Sequence, residues 1–220
     1  MSLEIINNVL NLLKQNNLIL LIQYGSSLDD PENANDIDLF AICSNNKISV
    51  QNLVFGPLDL VIIGKEEFEF FLSKLDPAFA TEPILTGKFL FGDLEYFKSL
   101  RKQVIGSSAD KDVVSYLFRR SILEYLNAIN FLNEKRYLLS LESLSFSVSY
   151  SIFSSWYYYR RKPIRWKELC ERCTRTKAII REVQDYLKIC KKVSNKIQEV
   201  RIKSLIEKWS NYIVSRLEFI

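Results

Sequence analysis

Hydrophobic and polar positions alternate in different ways along the first half of the chain. Three short apolar runs, bounded by turn residues, predict buried β-strands over residues 18–24, 37–43 and 58–63. Apolar residues at helical spacing predict helices over 3–15 and 66–75. Two segments are ambiguous: 48–55 fits a short helix or an edge segment, and 84–91 fits a strand or a helix. This half therefore predicts a small sheet with flanking helices.

The second half has long stretches with helical periodicity. A helix over 109–133 is expected to start from Ser107 or Ser108 as its N-cap. The segment 138–159 is apolar and aromatic on nearly all sides, which predicts a buried central helix. Further helices are predicted over 164–174, 177–193 and 195–217. We therefore expect an α+β protein in which an all-α bundle of about five helices follows the sheet.

Charge separates the same two halves. Residues 1–104 contain 8 basic and 14 acidic residues, whereas 105–220 contain 22 basic and 12 acidic ones, within a net charge of +4. The Gly106-Ser107-Ser108 stretch lies at this change and has the composition of a linker. The predicted domains are 1–104 and 105–220.

Other features limit location and chemistry. No apolar stretch is long enough for a membrane span and the N-terminus does not resemble a signal peptide, so a cytoplasmic protein is expected. The chain has no histidine, which excludes catalysis and metal binding that depend on imidazole. Cys170 and Cys173 form a CxxC pair, which is half of a zinc site or a redox pair, but ordinary packing is the favoured interpretation.

Five residues form the main candidate site. Gly25 and Ser26 follow the first apolar run, and Asp36 and Asp38 lie where the second begins. Because side chains alternate along a strand, the two aspartates point to the same side. Asp59 is the only charged residue in the third run, so it needs a cation or a hydrogen-bonding partner. Carboxylate oxygens at a strand end suit Mg²⁺, and a Gly-Ser turn suits a phosphate.

This constellation resembles the signature of the DNA polymerase β-like nucleotidyltransferase superfamily, whose small members form its minimal branch. The matching residues are Gly25-Ser26, then Asp36-Ile37-Asp38, then Asp59 on a separate strand. The segment from Gly87-Lys88 to Gly92-Asp93 is similar to a Gly-basic-apolar-aromatic-Gly-Asp segment found late in such domains. A helical bundle behind the catalytic domain resembles kanamycin nucleotidyltransferase and HEPN-like domains.

The resemblance implies a short mixed sheet and transfer of a nucleoside monophosphate from an NTP to an acceptor hydroxyl. Asp36, Asp38 and Asp59 would be catalytic and hold Mg²⁺ or Mn²⁺, while Gly25, Ser26 and Lys88 would bind the nucleotide. The acceptor could be a small molecule, a protein or RNA, and the sequence does not choose between them. A homodimer is one assembly that the sequence allows. No membrane partner is expected.

Two other functions compete with this one. Many family members follow Gly-Ser with a small or basic residue and another glycine, whereas this chain continues Ser27-Leu28-Asp29-Asp30. An interaction protein with the nucleotidyltransferase fold, as in toxin–antitoxin systems, is therefore the first alternative. The second is a nucleic-acid-binding adaptor that uses the basic half.

The densest basic segment of the second half is flanked by aromatic residues. Arg160-Arg161-Lys162 follows Trp156 and three tyrosines, and Trp166 comes shortly afterwards. Such a surface suits RNA or another polyanion. The favoured interpretation is nevertheless a solvated helix end whose rings lie in the core. A HEPN ribonuclease is excluded because its motif requires a histidine.

Overall fold

The computed structural model describes residues 9, 11–29, 36–45, 49–172 and 195–217. These residues form two compact units. The first contains the described residues up to Ser108 together with Lys162–Trp166, and the second contains those of Ala109–Arg161 and Lys167–Ile220. The predicted boundary at 104/105 falls inside a helix, and a short segment after residue 161 belongs to the first unit, so the two units are not consecutive in the chain.

The first unit is built on one five-stranded mixed sheet, as the α+β fold class requires. Its strands are β1 (Leu18–Tyr24), β2 (Ile37–Cys43), β3 (Gln51–Phe55), β4 (Leu58–Gly64) and β5 (Lys88–Gly92). The strand order is β3-β4-β2-β1-β5, in which β2 and β4 are parallel and the other pairs are antiparallel. The three predicted strands are confirmed.

Short helices connect these strands. They are α1 (Ser26–Asp29), α2 (Lys65–Ser73), a π-helical turn (Pro77–Thr81) and α3 (Glu82–Thr86). A longer helix, α4 (Leu94–Gly106), follows β5. Residues 11–15 are also helical, while the rest of the predicted helix over 3–15 lies outside the described residues except for residue 9. The first ambiguous segment, 84–91, contains the end of α3, then Gly87, and then most of β5. The second, 48–55, contains β3, which is an edge strand of the sheet.

Both faces of the sheet are covered. One face places Ile22, Phe40 and Ile63 against the helical side chains Phe68 and Phe97. The other face buries a second apolar row together with Val9 and Leu13. Strands buried on both faces have continuous apolar runs, which is why short apolar runs bounded by turn residues located the central strands.

The second unit consists of helices. They are α5 (Lys111–Asn133), α6 (Tyr137–Arg160), α7 (Trp166–Arg172), whose first residue belongs to the first unit, and α8 (Asn195–Leu217). Buried serines line the contact between α5 and α6, where Ser121 donates to the Ser147 carbonyl at 2.8 Å and Ser154 donates to the Val114 carbonyl at 3.0 Å. Trp209 of α8 donates to the Ser147 hydroxyl at 2.9 Å. The predicted helix 177–193 lies outside the described residues.

One expectation at the start of α5 is wrong. Its N-cap is Asp110, whose carboxylate accepts a hydrogen bond from the Val113 amide at 2.9 Å, and neither Ser107 nor Ser108 caps it. In the stretch predicted to be a linker, Gly106 ends α4 and the change to the second unit follows Ser108. Asp110 is the better cap because its carboxylate also interacts favourably with the positive end of the helix.

The aromatic residues at the end of α6 do not share one environment. Tyr157 is fully buried, as the favoured interpretation requires, but Tyr158 and Tyr159 are 51% and 66% exposed. Successive helical residues are rotated by about 100°, so a helix that buries one ring turns the next rings outward. The prediction that these rings lie in the core is correct for Tyr157 and wrong for Tyr158 and Tyr159.

Within the described part of the chain, none of the helices combines the length and apolar composition that a bilayer crossing requires.

Candidate active site

Asp38 and Asp59 lie side by side in the sheet. The parallel pairing of β2 and β4 places them opposite each other, so their side chains emerge on the same face. Two residues further along each strand, Phe40 and Val61 join the core on that face. The two carboxylates therefore stand at the end of an apolar row, where the covered face of the sheet meets solvent. Both side chains are half-buried.

Gly25 packs its backbone against the Asp38 carboxylate. It has a φ of +79°, and a Cβ built on it would lie 1.9 Å from Asp38 Oδ2. No other residue type fits both the backbone conformation and this space. The preceding residue, Tyr24, pairs with Asp38 across the antiparallel β1–β2 ladder. The end of β1 thus forms one wall beside the carboxylate.

The charges of Asp36 and Asp59 both act on Asp38. Burial, and then the charges of Asp36 and Asp59, raise the pKa of Asp38 to about 6. Asp36 directly precedes β2, and the amide of the following residue, Ile37, donates to the Pro57 carbonyl at 2.7 Å. A positive charge bound near Asp38 would favour the ionised form of its carboxyl group.

Tyr24 belongs to the same cluster, although the sequence did not single it out. Burial, followed by the charges of Asp38 and then Asp59, raises the pKa of Tyr24 above its usual value of 10.0. Its ring meets Phe40 edge-on, with centroids 6.2 Å apart. A tyrosine that ends a buried strand immediately before Gly-Ser is the signal that could have identified it.

The Gly-Ser turn continues into the one-turn helix α1. Ser26 is exposed at this end of β1, whereas Ser27 is buried and accepts a hydrogen bond from Gln23 Nε2 at 3.2 Å. The Leu28 amide donates to the Gly25 carbonyl at 3.3 Å. The turn is thus tied to β1, and it brings Ser26 close in sequence and space to the Gly25–Asp38 contact.

The structure does not bring Lys88 to the carboxylates. Lys88 pairs with Gln23, while Asp38 pairs with the next residue of β1, Tyr24. Because neighbouring residues of a strand point to opposite faces, Lys88 and Asp38 emerge on different faces of the sheet. Lys88 is exposed, and its role in nucleotide binding stays a prediction.

Arg101 supports the turn before β5. Its guanidinium donates to the carbonyls of Ile84, Leu85 and Gly87 at 3.0, 3.0 and 2.9 Å. These carbonyls end α3 and would otherwise lack helical partners. Arg101 therefore fixes the position of the strand next to β1, on the side of β1 away from Asp38.

The donor atoms of the cluster suit a hard divalent cation, since carboxylate oxygens are the ligands Mg²⁺ prefers. Among the described residues, however, no three aspartate, glutamate or cysteine side chains converge closely enough to hold a metal ion. Asp36, Asp38 and Asp59 are neighbours without forming such a ligand set.

Cys43 is buried in the sheet. The predicted CxxC pair, Cys170 and Cys173, includes a residue, Cys173, that lies outside the described residues.

The chain is similar to several solved structures. A crystal structure of a nucleotidyltransferase-like protein from Exiguobacterium sibiricum 255-15 matches 94% of this chain and 72% of its own, with a TM-score of 0.40 and 13% identity. No family model and no curated protein matches the sequence.

Proposed function

We propose that the first unit is a nucleotidyltransferase that moves a nucleoside monophosphate from an NTP to an acceptor hydroxyl. The observation that carries the proposal is the Asp38–Asp59 pair with Gly25 against it. Carboxylates placed this close together repel one another and destabilise a fold unless a cation or another positive group balances them. Their order in the chain also follows the motif that resembles the nucleotidyltransferase superfamily.

The roles are those that the resemblance to the nucleotidyltransferase superfamily implies. Asp36 and Asp38 would hold Mg²⁺ or Mn²⁺ together with oxygens of the triphosphate, which would supply the ligands that the aspartates alone do not, and Asp59 would complete a second site on the acceptor side. A divalent cation bound there supplies positive charge that stabilises the attacking and leaving oxygens of the transfer. Ser26, exposed beside Gly25, offers its hydroxyl and amide to a phosphate.

In the transfer, the acceptor oxygen forms a bond to the α-phosphorus while the bond from that phosphorus to the β-phosphate oxygen breaks. Pyrophosphate leaves, and the proton of the acceptor hydroxyl passes to Asp59. Tyr24, which stays protonated because its pKa is raised, would accompany Asp38 without exchanging a proton in the reaction.

Titration calorimetry of the full chain with each NTP, with and without Mg²⁺, tests the first step. We expect binding that requires the cation and that is lost in Asp38→Asn. Glu95→Gln removes an exposed carboxylate of α4 and is the matched control. Incubation with α-labelled NTP and cell extract then reports transfer to an acceptor. Absence of NTP binding with the cation present would refute the proposal.

The first alternative, a non-catalytic interaction protein, has one observation in its favour. Lys88 emerges on the face opposite Asp38, so the predicted basic phosphate contact is absent from the carboxylate side. Two results together would select this function. The chain would show no NTP binding by calorimetry, and it would form a stable complex with a partner protein in the absence of NTP.

A further inference from the structure

A cationic aromatic cluster lies at the end of α6, within the second unit. The guanidinium groups of Arg160 and Arg172 both lie over the ring of Trp156, at 5.8 and 5.7 Å from its centroid. Arg172 ends α7, so two helices contribute to the cluster. Guanidinium groups held against an indole keep their charge and lose side-chain freedom before any ligand binds.

Two exposed tyrosine rings adjoin this cluster. Tyr158 and Tyr159 are 51% and 66% exposed, and their ring centroids are 5.1 Å apart at an interplanar angle of 87°. The buried side chain of Tyr157 anchors the same helical turn in the core. The exposed rings are therefore carried by a helical turn that is anchored in the core.

Positive charge continues where the helix ends. Arg160 and Arg161 are exposed, and Arg161 terminates α6 with a left-handed φ of +56° while its amide donates to the Tyr157 carbonyl at 3.0 Å. The acidic side chain of α7 that the structure describes, Glu168, is half-buried. The exposed charged groups described at this helix end are thus predominantly basic.

We infer that this tyrosine–arginine surface binds single-stranded nucleic acid. It consists of Trp156, Tyr158, Tyr159, Arg160, Arg161 and Arg172. Bases would stack on the tyrosine rings and phosphates would contact the arginines, which is how single strands are bound without reading their sequence. Paired bases have no free faces, so duplexes are expected to bind less tightly. The inference does not depend on the proposed transferase activity.

Fluorescence anisotropy with a labelled oligouridylate tests the inference on the full chain. Tyr158→Leu/Tyr159→Leu keeps the apolar volume and removes the rings, and we expect it to weaken binding about tenfold. Arg160→Gln should make the dependence of log K on log salt shallower by about 0.7, the value for one phosphate contact on a single strand. Arg161→Asn keeps a residue that tolerates the left-handed conformation and should act similarly.

Two control variants preserve the surface. Phe70→Leu removes an exposed ring that also meets its neighbour edge-on, and Lys111→Gln removes one exposed charge at a different helix end. Neither should change the affinity. Oligouridylate and oligodeoxythymidylate are both expected to bind, and their ratio reports any contact with the 2′-hydroxyl.

Three results would overturn the inference. The first is no oligonucleotide binding at low salt. The second is binding that the tyrosine variant leaves unchanged while heparin competes equally well, which indicates attraction to any polyanion. The third is binding of anionic lipid vesicles that requires this surface when oligonucleotides do not bind. Thermal melts of each variant confirm that the fold is retained.

Discussion

Asp38 and Asp59 stand directly opposite each other on neighbouring parallel strands. Like charges in this arrangement destabilise a sheet, and here the pair is half-buried at the end of an otherwise apolar row. A sheet optimised only for stability would have an apolar or oppositely charged residue at one of the two positions. The placement of this pair is therefore the feature of the sheet that supports the proposed chemistry.

The raised pKa of Asp38 predicts that folding stability depends on pH. Its pKa is 3.8 when unperturbed and about 6 in the folded chain. The folded state consequently binds more protons than the unfolded state between these values, and stability decreases as pH rises from about 4 to 6. Allowing for solvent screening of a half-exposed group, we expect Asp38 to contribute a loss of the order of 1 kcal/mol.

Urea melts of the wild type and Asp38→Asn across this pH range measure that contribution. The asparagine cannot titrate, so the difference in unfolding free energy between the two proteins should change in favour of the variant as pH rises. Parallel pH profiles of the two proteins would contradict the prediction.

The three aspartates are expected to differ in kind. Asp36→Asn and Asp38→Asn should lower both NTP binding and turnover, the latter by about 100-fold or more, because each removes a charged ligand. Asp59→Asn should lose turnover similarly and keep NTP affinity within about threefold, because its role is on the acceptor side. Calorimetry and the transfer assay are both required. If Asp59→Asn weakens NTP binding as strongly as Asp38→Asn, the division of roles is wrong.

Gly25→Ala separates backbone strain from crowding. Gly25 and Gly56 both have positive φ, +79° and +61°, but a Cβ on Gly25 would collide with Asp38 whereas one on Gly56 meets nothing within 4 Å. We expect Gly56→Ala to cost about 1 kcal/mol of stability and Gly25→Ala at least about 2 kcal/mol. Denaturant melts of the two variants provide the comparison. Equal losses of stability in the two variants would show that the Asp38 side chain moves aside without a measurable cost.

Arg101→Lys tests the support of the α3–β5 turn. A lysine keeps the charge but cannot donate to three carbonyls in the planar arrangement of a guanidinium. We expect a loss of about 1–3 kcal/mol in unfolding free energy, since buried carbonyls lose partners. Arg119→Lys, at an exposed position of α5, is the matched control and should be within about 0.5 kcal/mol of the wild type. Similar melts for both variants would exclude this support.

The start of α5 gives a prediction about capping. Asp110→Ala removes the acceptor of the Val113 amide and should cost about 1 kcal/mol. Ser108→Ala, two residues earlier and exposed, should have no measurable effect. The midpoint of chemical denaturation of the full chain reports both. If Ser108→Ala destabilised the protein more than Asp110→Ala, Ser108 and not Asp110 would be the N-cap of α5.

Sequence patterns identified the centre of the first unit well. The runs that form β1, β2 and β4 are buried on both faces, so burial itself produces the signal. The site aspartates were located for a related reason, since a charge such as Asp59 within an apolar strand is conspicuous. Only tertiary pairing could show that Asp38 lies opposite Asp59, because β2 and β4 are parallel neighbours while β3 lies between them in the chain.

Features at the margins were harder to predict. Helix α4 was not predicted, although Asp93 accepts a hydrogen bond from the Tyr96 amide as an N-cap and Phe97, Leu100 and Val104 have the spacing of one buried face. The face of the sheet on which Lys88 lies depends on its pairing with β1, which the sequence resemblance does not give. Lys88 lies opposite Gln23, and the register of the β1–β5 pairing shifts nearby, between Leu21 and Ile22.

The segment Lys162–Trp166 changes the order in which the protein can be completed. It belongs to the first unit, where the Trp166 amide donates to the Glu82 carboxylate at 2.9 Å. During synthesis on the ribosome, this partner of Glu82 is made only after α5 and α6 have been translated. This contact of the first unit thus forms only after two long helices of the second have been synthesised, later than the usual N-terminal-first order of domain folding would place it.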